Sequence, residues 1–479
     1  MATSEKDFDR DDRDQLIALV DELRTENLRL KERIAELEKK NPTKRLDVPY
    51  SVRSEEERQA KAKKVRKPKQ AKKPKRRGRR TNCEKVDLAE RIELVLPDGY
   101  KIEECVWLCE RPVWRIENGQ AIRVVYDMYR GPRGERGAID GVPDRSEFGL
   151  EIQVAVAYLT YIIGISLDKV CAQLDFFWGL PLSKSQADAI LNQLSRRWND
   201  EFEALCQLLS VSAVVHADET SWSINSVWAF LSDTARVLVF GCRKDGQTLA
   251  TLLAKEDFSG VLVSDDAAVY QGFDSAQKCW AHLLRKAIRL TLLRPDDADL
   301  RRFADDLLEV YRTAKRDSND ARFGPKARAV RVDRLNEMLS AALGDRFIDG
   351  VVPTDEVTKE FYLLVHELAR LMVEEELFTF VLRPEADGTN NEAERSLRGA
   401  ALDRRTGRAS KTAKGARRKT ILVSVFESLK LHLPRFDLAS VLKEVFNWQP
   451  GESLFTRLMQ NCGLSPPKQP TLEQLVPTP

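Results

Sequence analysis

The spacing of apolar positions changes character along the chain, and each change predicts a different kind of element. Leu16, Leu23, Leu30 and Leu37 recur every seventh residue, and Val20, Asn27 and Ile34 form a second series four positions later. This predicts a heptad helix over 11–40, with Leu at d and a β-branched/Asn mixture at a. An Asn at a single a position is satisfied by its mate across the seam, which favours a parallel two-stranded coil and hence a homodimer. A lone amphipathic helix packed on its own chain is the alternative. At 83–145, short apolar runs such as RIELVLPDGY and VWRIENGQAIRVVYDMYRG alternate with turn signals and predict a small β-rich module. From 146 to 208 the spacing turns helical, with Ser183 placed to cap the last helix. Two helices, a Gly-containing turn and a capped helix fit a helix-turn-helix-like module, and fit a plain helical hairpin bundle equally.

Residues 209–293 read as strand, strand, strand, helix, strand. The candidates are VSAVVHAD (211–218), VWAFLSD (227–233), ARVLVFGCR (235–243), the helix QTLATLLAKE and GVLVSDD (260–266). SAQKCWA (275–281) forms a fifth strand that runs into the helix HLLRKAIRLTLL. A long, charged helical stretch at 294–385 breaks this rhythm and reads as an insertion. The rhythm resumes over 386–447 with DGTNNEAERSLRGAALDRR, where Thr389 or Asn390 is a cap and Glu394 and Arg398 share a helical face. Residues 448–479 read as a C-terminal tail. The order predicts an α/β fold: a mixed sheet of ribonuclease-H type, interrupted by helices.

Charge adds partners to this picture. The net charge of +3 conceals a segregated distribution, because residues 58–80 hold fourteen Lys or Arg and no acid. Prolines and like charges there oppose both helix and core, so 41–82 is expected to be a disordered basic linker. Its cations, Lys75, Arg76 and Arg77 among them, suit counterion release on DNA or RNA. A basic segment that follows the zipper instead of preceding it excludes a bZIP arrangement. A second basic run at 395–419 sets ten cations against one acid, Asp403. Arg395, Arg398, Arg404, Arg405, Arg408, Lys411 and Lys414 are its candidate contacts to DNA phosphates. The eight cysteines lack the spacing of a disulfide framework, which fits a reducing, cytosolic setting. Cys105 and Cys109 have no histidine near them, so a structural zinc is doubtful and isolated buried thiols are expected. No run reaches the roughly 18 apolar residues of a membrane span, and the acidic amino terminus lacks the form of a signal peptide.

The candidate chemistry rests on three acids. Asp218 and Asp265 each end a strand, so adjacent first and fourth strands bring them together at one sheet edge, and Glu394 on the later helix closes the group. Hard Mg²⁺ or Mn²⁺ ions require carboxylate oxygens, and a pair of such ions serves phosphodiester displacement. Without cations the three acids would repel one another. Glu219 follows Asp218 directly, points to the opposite face of a strand and is expected to serve structure. His216 shares the parity of Asp218 and could face the site, but reads first as a core histidine; His282 reads first as packing or capping, with a role near the scissile phosphate as the alternative. Trp222, Trp228 and Trp280 lie in strand-like runs and are expected in the core.

Five segments, HADETSW (216–222), LVSDDAAVY (262–270), CWAHLLRKA (279–287), NNEAERSLR (390–398) and GRASKTAKGARRKTILVSVFESLK (407–430), resemble in order and content transposases of the insertion-sequence sixty-six family. The resemblance covers most of the chain, since that family also places a leucine-zipper-like helix and a basic arm ahead of its catalytic region. It implies a DDE triad at Asp218, Asp265 and Glu394, separated by 47 and 129 residues, with Asp218 bridging two Mg²⁺ or Mn²⁺ ions and the other two flanking. The implied reaction is phosphodiester cleavage at the ends of an insertion sequence, then attack of the freed 3′-hydroxyl on target DNA. Accessory transposition proteins and a place at the bacterial nucleoid are implied with it. The family usually has Gly after the second aspartate, where this chain has Asp266, so Asp265 and Asp266 both stand as the second ligand. Its upstream cysteine pairs are reduced here to Cys105 and Cys109. Two other readings use the same residues: a nuclease of this fold without strand transfer, and an inactive or domesticated dimeric DNA-binding protein. The presence of all three acids weighs against the last.

Overall fold

The computed structural model describes residues 81–346, 352–446, 448, 452–465 and 471–476. The heptad segment 11–40 and the basic arm with Lys75, Arg76 and Arg77 lie outside them. The chain divides after Lys67, and everything described belongs to the second unit, Pro68–Pro479.

A capping box between Thr81 and Glu84 starts α1 (Asn82–Val86), which leads into β1 (Arg91–Val95), β2 (Val106–Glu117) and β3 (Gln120–Arg130). These form a three-stranded sheet in the order β1-β3-β2. The β2–β3 hairpin turns at Asn118 and Gly119, both at positive φ (49° and 77°), the dipeptide that a tight hairpin with primed turn geometry demands. Val113, Val124, Tyr126 and Met128 make its small core. Cys83 and Cys109 are exposed and Cys105 is half-buried, which corrects the expectation of buried thiols. The reason is that the first half of β2 runs outside this core.

Four helices follow: α2 (Leu150–Ala157), continued by a π-helical turn over Tyr158–Ile162, α3 (Leu167–Trp178), α4 (Lys184–Arg197) and α5 (Asn199–Ser210). Every residue of α2 is buried, its two polar ones with partners: Glu151 pairs with Arg115 at 2.8 Å, and the Gln153 amide donates to Ser146 Oγ and the Phe148 carbonyl. Gly179, left-handed at φ 68°, ends α3. Ser183 and Gln186 form the capping box of α4. Far from standing apart as a module of their own, these helices share one continuous apolar core with the main sheet, in which Val156, Leu191, Trp198 and Phe202 meet Val215, Val227, Phe240 and Phe426.

That sheet comprises β4 (Val214–Ser221), β5 (Ser226–Leu231), β6 (Arg236–Cys242), β7 (Val261–Ser264) and β8 (Ala276–Lys278), with α6 (Gly246–Leu252) between β6 and β7. The order is β6-β5-β4-β7-β8; β4, β5 and β6 are antiparallel, and β7 and β8 run parallel to β4. The fifth strand is shorter than the apolar run suggests, because Trp280 already opens α7 (Trp280–Leu293). Then come α8 (Ala298–Asn319), α9 (Pro325–Leu343), α10 (Glu356–Val373) and α11 (Thr379–Leu382). They build a second core with α7 against one face of β7: Val261 and Val263 point into it, and Leu262 points into the first. The two-residue period of the strand thus divides the cores.

After α12 (Asn391–Arg405), α13 (Ala413–His432) lies along the edge strand β6. Thr420, Ser424 and Ser428 accept hydrogen bonds from the backbone N–H groups of Phe240, Leu238 and Arg236 at 2.9, 3.0 and 2.9 Å. The last elements are α14 (Leu438–Val445), α15 (Leu454–Asn461) and α16 (Thr471–Leu475). The described residues beyond 448 are therefore no loose tail. Phe455, Met459, Leu472 and Leu475 are buried, the Ser453 hydroxyl donates to Glu201, and Glu203 accepts from the backbone of Thr471 and Leu472. Helical spacing of Phe455 and Met459, and of Leu472 and Leu475, supplies the apolar faces that dock. Among the described residues no helix is long and apolar enough to cross a membrane. The result is a mixed α/β protein.

Candidate active site

Two neighbouring parallel strands deliver the first two acids. His216 of β4 pairs with Val263 of β7, so the same register carried two residues further sets Asp218 level with Asp265. Adjacent strands lie roughly 4.8 Å apart. Asp218 Oδ1 accepts from the Glu219 N–H at 2.9 Å, and Asp265 Oδ1 from the Ala267 N–H at 3.1 Å. The Asp218 carboxyl is pushed up to about 7, first by burial, then by the charge of Glu219, with Asp265 and Glu394 adding to it. The charges of Asp265 and Glu394 thus both act on the Asp218 carboxyl.

Glu394 reaches this point because the start of α12 is tied down. The Asn390 side-chain amide donates to the Ala217 carbonyl of β4 at 2.7 Å, and its backbone N–H to Cys279 Sγ at 3.1 Å. The Trp280 N–H bonds the Gly388 carbonyl at 3.0 Å. A Cβ on Gly388 would meet the Phe380 ring at 3.0 Å, so any side chain there would have to shift that buried ring by a few tenths of an ångström. Asn390 makes no side-chain cap; its amide spans the gap to the strand instead. Asn390→Ala would leave the buried Ala217 carbonyl without its donor. It is expected to cost about 1–3 kcal/mol in urea unfolding, and unchanged stability would remove Asn390 from this role.

Glu394 Oε1 accepts from Arg285 at 2.7 Å and lies 3.6 Å from His282 Nδ1. His282 is half-exposed, and the charges of Glu394 and Asp265 act on it. Its position on the first turn of α7 aims it at the acids. Burial first, then Arg285, lowers its pKa. His216 is half-buried beside Asn390, and burial lowers its pKa. Glu219 is only 2% exposed, bonded by the Tyr270 hydroxyl and paired with Lys244. The hydrogen bond with Glu219 raises the Lys244 pKa, and Asp265 and Asp218 add to it. Asp266 turns away to Arg370 of α10 at 2.5 Å, so of the two adjacent aspartates it is Asp265 whose charge reaches Asp218. Trp222, Trp228 and Trp280 are all buried.

Lys244, Tyr270 and Arg285 escaped the sequence reading. Tyr270 and Arg285 stand inside quoted motifs, LVSDDAAVY and CWAHLLRKA, and an offset of five or six residues from Asp265 and Cys279 was the available signal. The basic run divides. Arg395, Arg398, Arg405 and Lys414 are exposed and make no ion pair among the described residues. Arg404 donates to the Ser221 carbonyl at 2.8 Å, Arg408 bonds Gly164 and Thr406, and Lys411 is half-buried. The last cations turn inward: Arg418 pairs with Asp188 at 2.6 Å, and Lys419 is buried against Asp403 and lies over the rings of Trp222 and Phe240.

Fold and site together define an α/β protein with Asp218 and Asp265 on or just beyond two neighbouring inner strands of the sheet and an arginine-bearing helix beside them. The family model described as Transposase IS66 family matches residues 145–418, more than half of the chain, and the chain belongs to that family. No curated protein matched. Family membership makes it a transposase of insertion sequences in the general sense and implies DNA as its partner.

Proposed function

We propose that the chain is a DDE-type enzyme that cleaves phosphodiesters at insertion-sequence ends and joins the freed 3′-hydroxyl to target DNA. The observation that carries this reading is geometric: the β4–β7 register sets Asp218 level with Asp265, and the Asn390 bond to β4 brings in the helix that bears Glu394, although the three acids are far apart in sequence. The sheet order, three antiparallel strands followed by two parallel ones, supports a ribonuclease-H-like core over 209–293 and 386–447, with 294–385 inserted. The donor set fits hard divalent ions: all three groups are carboxylates, and their mutual repulsion is what a cation relieves. Asp218, Asp265 and Glu394 would hold Mg²⁺ or Mn²⁺, the two-ion complement that the family resemblance implies. When bound, the ions supply Lewis acidity and neutralise charge on the reacting phosphate.

The protein's own groups do the positioning. Arg285 orients Glu394, Lys244 and Tyr270 hold Glu219 beneath Asp218, and Asn390 fixes the glutamate helix to β4. Arg395, Arg398, Arg405 and Lys414 bind phosphates flanking the cut, the basic arm with Lys75, Arg76 and Arg77 adds sequence-independent affinity, and the heptad segment 11–40 pairs two copies.

The test is an assay of the full-length protein on DNA carrying the element's own ends, with Mg²⁺, scoring nicked and joined products separately. Both products are expected. Cleavage without joining would leave a nuclease, and neither product, with DNA binding retained, would leave a DNA-binding derivative.

A further inference from the structure

The first turn of α7 begins Cys279-Trp280-Ala281-His282, and the i, i+3 spacing sets thiol and imidazole on one side of it. Cys279 Sγ, a ring nitrogen of His282 and a carboxylate oxygen of Glu394 all lie within 4.8 Å of one another. The sulfur is buried and receives the Asn390 N–H at 3.1 Å, and the N–H groups of Ala281 and His282 also bond it. Burial raises the pKa of the Cys279 thiol and these amides oppose the rise; a bound cation takes the place of the thiol proton. His282 Nδ1 is buried, has no hydrogen-bond partner and lies 3.6 Å from Glu394 Oε1. One soft, one borderline and one hard donor make a set foreign to Mg²⁺ and suited to Zn²⁺ and its neighbours.

We propose that Cys279, His282 and Glu394 form a binding site for a transition-metal ion of the Zn²⁺ class, open at a fourth position. Donor atoms around a tetrahedral zinc stand roughly 3.5 Å apart, so the site closes by about 1 Å. Glu394 supplies that movement, being half-exposed on the first turn of α12, once Arg285 releases Oε1. This site shares only Glu394 with the group formed by Asp218 and Asp265. One consequence rests on the proposed function: an ion held here draws Glu394 away from the two aspartates, so Zn²⁺ opposes the activity that Mg²⁺ supports.

The test titrates full-length protein with Co²⁺ and follows the thiolate-to-cobalt charge-transfer band. One tightly bound equivalent is expected, displaced by Zn²⁺. Cys279→Ser should abolish its band, and His282→Ala, which keeps the thiol, should weaken Co²⁺ binding at least about tenfold. The exposed thiols Cys83, Cys109 and Cys462 make the comparison with these variants essential. A band of undiminished size and affinity in both variants, or no band in the folded wild type, would overturn the site; should Cys279→Ser misfold, His282→Ala decides. Asp218→Asn should keep the band, so the site and the proposed reaction can fail separately. In the cleavage assay Zn²⁺ should inhibit the wild type at least about tenfold more strongly than Cys279→Ser, and equal inhibition would overturn the coupling to Glu394.

Discussion

Asp218→Asn is expected to lower DNA cleavage and joining by at least roughly 10³-fold, because a carboxylate at a metal centre supports several kcal/mol of transition-state charge stabilisation. DNA affinity should stay within about twofold, since the exposed arginines of α12 and Lys414 of α13 are untouched. Retained cleavage would remove Asp218 from the mechanism. The same substitution carries a second, opposite effect in the absence of metal. The folded carboxyl titrates at about 7, above the ordinary value of 3.8. Between those values the folded protein holds the extra proton, so this group subtracts stability as pH rises from about 4 to about 7, and the loss is complete above. The Asn variant should therefore be more stable than wild type by on the order of 3 kcal/mol at about pH 8 without Mg²⁺, and nearly equal at about pH 4. Equal urea midpoints at the higher pH would refute the strain at this carboxyl.

Affinity for Mg²⁺ is the second large effect. A ligand must shed its proton before a cation takes its place. With Asp218 titrating at about 7, apparent Mg²⁺ affinity should climb about tenfold per pH unit up to that point and level off above it. Calorimetric titration of the full-length protein across roughly pH 5.5 to 8 reads this directly. A flat profile would mean that Asp218 is no ligand, and in Asp218→Asn the slope should be lost together with most of the binding.

How much of this the sequence disclosed follows from which forces are local. The strand runs and their order were legible because β-branched runs carry a two-residue period of their own, and Asp265 does follow the last residue of β7; Asp218 does not end its strand, because β4 continues to Ser221 in pairing with β5. Ser183 as a cap was legible for the same reason: its partner, Gln186, is three residues away. Long-range pairings left no such trace. Nothing near Asn390 announces that its amide serves a carbonyl 173 residues earlier, and nothing near Lys419 announces that one of ten neighbouring cations would be buried on two aromatic rings. The segment beyond 448 looked like a tail because its helices are short; their anchors, Glu201 and Glu203, belong to α5. His282 was left between packing and a role near the scissile phosphate because a lone histidine at a helix start has many uses, and only the fold brings Glu394 to it.

The hydroxyl row of Thr420, Ser424 and Ser428 along β6 has a bearing on solubility. An outermost strand with free amides is a template on which another chain can add itself and grow into an aggregate. Here one rung in two is occupied by a helix whose four-residue repeat spans two residues of strand, so the molecule's flank offers no continuous ladder to a newcomer.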